Sequence, residues 1–230
     1  INRNFINTAT ANIQSLGGLD AGAKLFSGNV NLSTRGMSLT SFVGGDTTFS
    51  GLISGGFGIQ KEGNGTVILD PSAGTGNTYT GATTVVQGIL IGQAQATSGS
   101  PFGTGAMTIL DAEVRLRGLA GANSATSSTG ALTVSGGARV AVDDLAADAF
   151  TTTFTFDSLI RSGAAGTVTF VPFRGALGTE ENFTFTNTLD NVNGIAGTWA
   201  VHVTNGTNNA ANYIVGGVNS VTTYNYGAAS

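Results

Sequence analysis

Apolar and polar positions alternate along this chain in short runs, each closed by Gly, Asn, Asp or Ser. No window carries apolar residues at three- and four-residue spacing for three turns, so the helix signature is missing. Alternation with a period of two sends successive side chains to opposite faces of an extended strand. The pattern predicts strands at Lys24–Leu32, Ser38–Val43, Thr47–Ser54, Thr66–Leu69, Thr83–Ile91, Ala106–Leu116 and Ala131–Val142. Further strands are expected at Thr152–Ile160, Thr167–Phe173, Asn182–Thr188, Thr198–Val203, Tyr213–Val215 and Val221–Tyr226. The fold class is all-β.

An internal repeat chooses among all-β folds. Thr84-Val85-Val86-Gln87-Gly88-Ile89-Leu90-Ile91 returns 24 residues later as Thr108–Leu116, and 25 residues after that as Thr133–Val142. Each unit is a strand, a small residue at a bend (Gly88, Ala112, Gly137) and a second strand. The period is too short for a propeller blade and holds no helix for a leucine-rich repeat, but it suits one coil of a parallel β-helix. The rival is a β-sandwich with irregular hairpins. In a solenoid, Gly supplies the positive φ that other residues resist at corners, so Gly88 and Gly137 are both expected there.

Composition agrees with that picture and narrows the chemistry. The 230 residues include 36 Gly and only 3 Pro, which excludes collagen, and no Cys, which excludes disulfides, thiolate metal sites and a cysteine nucleophile. Net charge is −4, and the 9 basic residues are scattered without a run, so nucleic acid is excluded as an expected partner. No apolar stretch is long enough for a membrane-spanning helix, and residues 1–14 lack the basic and apolar regions of a signal peptide. With no initiator Met at its start, the sequence is expected to be a processed or excised piece. Abundant Thr, Ser, Asn and Gly with only two Lys, Lys24 and Lys61, is a composition expected of exported β proteins.

Residues 53–92 carry a motif. Lys61, Gly63, Gly65, Thr66 and Leu69 are followed by Asn77-Thr78-Tyr79-Thr80-Gly81, then Thr83, Val85, Gly88 and Leu90. This segment resembles the autotransporter-associated β-strand repeat, with Val67 where Leu is usual and a slightly long spacer at Asp70–Gly76. The flanks Phe49–Gly56 and Gly197–Tyr224 resemble segments of the large repetitive surface proteins that carry it. The resemblance implies a right-handed parallel β-helix in an extracellular or bacterial cell-surface protein, with the repeat as a structural element. Residues 1–150 are then the β-helix, and 151–230 its continuation or a β-rich end region. Asn77 is expected at a corner with its amide on the backbone of the bend, Tyr79 packed along a coil, and Lys61 with Glu62 at a solvated edge.

Parallel β-helices also carry polysaccharide lyases and glycoside hydrolases, so candidate acids matter. Asp143, Asp144 and Asp148 are the best local group, but adjacent strand residues point oppositely, and a solvated acidic turn is the expectation. His202, the single histidine, lies in Val201-His202-Val203 and reads as a wall residue. There is no Gly-x-Ser-x-Gly elbow, and Gly55-Gly56-Phe57-Gly58 lacks the helix and Lys of a phosphate loop. In the calcium nonapeptide pattern, Gln60 stands where a carboxylate is needed. The expectation is no enzyme, no cofactor and no metal.

The expected function is a stiff scaffold that meets copies of itself or adjacent modules end to end. A solenoid's terminal coils have unpartnered backbone groups, and neither end of this chain reads as a cap. Val221, Tyr224 and Tyr226 are the expected assembly residues. The alternative is an adhesin module binding glycan or protein through Trp199, Tyr213, Tyr224 and Tyr226.

Overall fold

A computed structural model describes residues 5–6, 14–18, 22–71, 76–95, 99–126, 129–145, 150–174, 177–203 and 212–222. Asp148, Tyr224 and Tyr226 lie outside the described residues. Every regular element among those described is a β-strand. The strands form three faces of a parallel β-solenoid. The first face stacks Gln14–Gly18, Met37–Ser41, Ile59–Glu62, the leading parts of Thr83–Gln93 and Met107–Arg117, Leu132–Val134 and Leu159–Arg161. The second stacks Lys24–Phe26, Asp46–Phe49, Thr66–Leu69, the trailing parts of the same two long strands, Gly137–Asp143, Thr167–Pro172 and Ala200–His202. The third runs through Val30–Leu32, Ile53–Gly55, residues 76–80 and 100–104, Ser124–Ala125, Thr152–Phe156 and Glu181–Phe185.

Parallel pairing in register turns the alternation of each strand into columns that run along the axis. On the first face Met37, Ile59, Thr83, Met107 and Leu132 stack inward, with Leu39, Lys61, Val85, Ile109 and Val134 beside them. On the second, Thr47, Val67, Leu90, Val114, Val140, Phe170 and His202 make one inward column. All of these side chains are buried. The corner between the third and first faces is a column of small residues, Gly36, Gly58, Ala82, Ala106 and Ala131. The amide of the residue after each of the first four bonds the carbonyl of the next one along, as Met37 N to Gly58 O at 3.1 Å and Thr83 N to Ala106 O at 2.9 Å.

The coils widen along the chain. Met37 pairs with Ile59, 22 residues on; Leu132 with Leu159, 27 on; Val168 with Ala200, 32 on. The filler changes accordingly, from Val, Leu and Ile to Phe. Phe102 stacks on Phe154 at 5.3 Å, Phe154 meets Phe156 at 4.3 Å, and Phe170 contacts Phe183 edge-on at 5.1 Å.

Several sequence expectations change. Lys24–Leu32, Ala131–Val142 and Thr152–Ile160 each divide at a corner into two strands on different faces. Gly88 has the positive φ expected of it, at 74°, but Gly137 does not have one. The reason is an extra residue: the pairing offset is 25 at Met107–Leu132 and 26 at Glu113–Arg139, so Ser135–Gly136 absorbs the bend and Gly137 opens the next strand. The parallel ladder crosses residue 150 without a break and continues to His202.

At the C-terminal end the chain itself closes the second and third faces, while Leu159–Arg161 on the first face pairs only with Leu132–Val134 among the described residues. Asn212–Tyr213 pairs antiparallel with Ala200–His202. Ala196 N then donates to Ile214 O at 3.0 Å, Phe185 N to Asn219 O at 2.7 Å, and Val221 N to Phe183 O at 3.0 Å. Ile214 and Val221 are buried beneath this segment. Val221, expected among the assembly residues, is buried core: its amide bonds the last rung of the third face, whose edge would otherwise be open.

Candidate functional site

The motif residues converge on the walls and corners of neighbouring coils. Lys61 alternates with Ile59, so it shares the inward side of the first face and stands in the column between Leu39 and Val85. It is fully buried, which overturns the solvated edge expected for it. Its stem fills the column as an aliphatic residue would, and Nζ donates to Glu62 O at 2.9 Å, Gly63 O at 2.6 Å and Gln87 O at 2.9 Å. An ammonium has three donors, and here three corner carbonyls from two coils take them. Burial pulls its pKa down from 10.5 to about 8, opposed by the nearby Glu62 carboxylate. Glu62, half-buried, receives Ser38 Oγ at 2.9 Å and Gln60 Nε2 at 2.5 Å. Gly88 completes the corner: a Cβ there would stand 2.5 Å from Gly63 O and 2.8 Å from Lys61 Nζ. Gly65 enters the same turn, its amide on Ser41 O at 2.9 Å.

Asn77 ties three successive coils. Its Oδ1 accepts from Ile53 N at 2.8 Å in the coil before, and its Nδ2 donates to Pro101 O at 2.6 Å in the coil after. The side chain thus bonds backbone as the sequence suggested, but across coils and not within its own bend. Tyr79 is fully buried, and its hydroxyl meets Thr83 Oγ1 at 2.6 Å; Thr83 Oγ1 donates onward to Phe102 O at 3.0 Å. Burial pushes the phenol pKa up, with the Thr83 bond opposing. Gly81 backs onto the preceding coil, where a Cβ would lie 2.1 Å from Gly58 N.

Asp143 and Asp144 are also not solvated: they are 3% and 1% exposed. Asp143 Oδ1 accepts from Arg174 Nε at 2.8 Å, and Asp144 N donates to the fully buried Glu181 at 2.7 Å. Asp143 closes a charged network on the outer side of the second face that sequence reasoning missed. Glu113 holds Arg115 at 2.5 Å and Arg139 at 3.0 Å, and the Arg115 guanidinium lies 4.1 Å over the Phe173 ring. The signal was the register: Glu113 faces Arg139 one coil on, a spacing invisible until the extra residue at the 135–136 bend is known.

Two further places could receive a ligand. An open concavity of about 470 Å³ is lined by Ala23, Val43, Gly44, Gly45, Asp46, Asn64, Gly65 and Thr66. Among the described residues its lining carries one carboxylate, Asp46. Trp199 and Tyr213 are half-buried, and Trp199 packs against the core with the Arg161 guanidinium 5.8 Å over its ring. His202 is fully buried in the wall, its Nδ1 3.2 Å from Val203 O.

Comparison with protein families, with curated proteins and with solved structures finds no match for this chain.

Proposed function

We propose that this chain is a structural module of a bacterial secreted or cell-surface protein, a stiff solenoid that carries length and resists proteolysis. The observation that carries the reading is the use made of the motif's polar groups. Lys61, Asn77, Tyr79 and Thr83 all bond backbone or one another inside the wall, so the residues best suited to a ligand hold coil to coil instead. The likeness of residues 53–92 to the autotransporter-associated repeat and the Thr-, Asn- and Gly-rich, Cys-free composition support the location.

Axial contact with an adjacent module or another copy belongs to the first coil in this reading. Residues 212–222 cover the second and third faces at the opposite end, and there only Leu159–Arg161 of the first face is left paired on one side, whereas among the described residues Phe5–Ile6 and Gln14–Gly18 both pair only with the coil that follows them. Such edges accept further strands. The test is protease digestion of the folded chain followed by mass spectrometry. Cuts confined to residues outside the strands, with the coils from Met37 to Pro172 intact, are expected; rapid cleavage within Thr83–Gln93 or Met107–Arg117 would refute a stiff scaffold.

A further inference from the structure

We infer that His202 is an acid-sensitive latch for the C-terminal cap: protonating its ring releases residues 212–222 from the end of the solenoid while the central coils stay folded. The inference rests on the scaffold reading only for its consequence, since release would open an axial edge; the latch itself is a property of the fold.

His202 ends the inward column of the second face, directly after Phe170, and the cap's first contact is made on its own strand, where it pairs with Asn212. The ring is fully buried. Nδ1 stands 3.2 Å from the Val203 carbonyl, which takes the one proton of the neutral ring. Nε2 is buried with no hydrogen-bond partner. A second proton would have to sit on Nε2, facing an apolar column with no acceptor.

The neighbours do not relieve that charge. The flanking strand Thr167–Pro172 carries no ionisable residue, and Asn212–Tyr213 carries only the Tyr213 phenol. On Glu181–Phe185, which packs against Phe170, Glu181 is engaged by the amides of Asp144 and Arg174. Burial accordingly moves the imidazole pKa below its ordinary value of 6.5, with the Val203 contact opposing. The unfolded or released segment binds the proton more readily than the closed one, so closure weakens as pH falls below that ordinary value. Opening is local because the cap is held by a few backbone bonds at the end of the stack, whereas the inner coils are paired on both sides.

Hydrogen exchange with mass spectrometry on the whole chain, at about pH 7 and about pH 5, tests the latch. Protection factors, corrected for intrinsic exchange, are expected to fall about tenfold or more in peptides covering 185–196 and 212–222 at the lower pH, with Thr83–Gln93 and Met107–Arg117 unchanged. His202→Phe, which extends the Phe170 column, should abolish the fall; His202→Gln serves the same purpose should the phenylalanine fail to fold. Unchanged protection in the wild-type cap, a uniform loss through all coils, or an equal loss in the variant would each overturn the latch. Association measured by light scattering at both pH values reads the scaffold consequence separately: cap release without association would leave the latch standing and count against axial growth.

Discussion

A single buried ammonium shows how a charged residue can be a wall component. Lys61 occupies a column position that Leu39 and Val85 fill on either side, and its charge is met by carbonyls that a sharp corner would otherwise leave without donors. Lys61→Met keeps the stem and leaves those carbonyls unsatisfied, which is expected to lower unfolding stability by about 2 kcal/mol near neutral pH. The sign of the pH dependence follows from a folded pKa of about 8 against 10.5 in the unfolded chain. Between those values the unfolded state binds more protons, so wild type gains stability relative to Lys61→Met as pH rises through the window, by on the order of 3 kcal/mol. Denaturant melts of both proteins across that window check it; a difference that stays flat or shrinks would contradict the buried-ammonium assignment. Asn77 gives a second residue-scale test. Asn77→Asp keeps the acceptor for Ile53 N but turns a carboxylate oxygen toward the Pro101 carbonyl, so it should destabilise by about 3 kcal/mol at neutral pH and recover part of that in mild acid. Lys61 could not be read from sequence because a lone Lys before Glu has the pattern of a solvated strand end, and only the register of its coil turns it inward.

The elements were legible wherever the period held. Thr83–Gln93 and Met107–Arg117 pair at a constant offset of 24, and the sequence repeat, the bend at Gly88 and Ala112 and the strand stacking all follow from it. Legibility failed where one residue was added: the bend moved off Gly137, and the Glu113–Arg139 pairing came into being only because of that shift. Corners inside apolar runs, such as Asp157 between Thr152–Phe156 and Leu159–Arg161, were hidden because a solenoid corner needs no hairpin loop. Complementation between faces was hidden as well. Gly92 leaves a gap in the second-face column, and the Phe102 ring from the third face fills it, 2.4 Å from where a Cβ would stand. Phe102→Ala therefore empties a shared site beneath Phe154, with an expected loss of about 4 kcal/mol, while Phe102→Leu should lose less than half of that. Thermal melts of the two variants that fell together would show that the ring is not filling the gap.

At the scale of the molecule, the stack has unlike ends. Widening coils with Phe fillers lead to an end where the returning segment seals the second and third faces, with Val221 and Ile214 over the last rungs. Val221→Lys should loosen that seal, exposing the edge of Glu181–Phe185, and light scattering should then show more association than in wild type. Less association would mean that the segment itself makes the contact between copies. The closed end was not legible because its antiparallel return depends on contacts between residues 183–196 and 212–221, and no local pattern announces them. Negative-stain electron microscopy of the purified chain at micromolar concentration tests the scaffold most directly. Copies joined end to end along the stacking axis, in straight runs whose width follows the widening coils, are the expected result. Compact rounded particles, or contacts made through the sides, would contradict a stiff axial module.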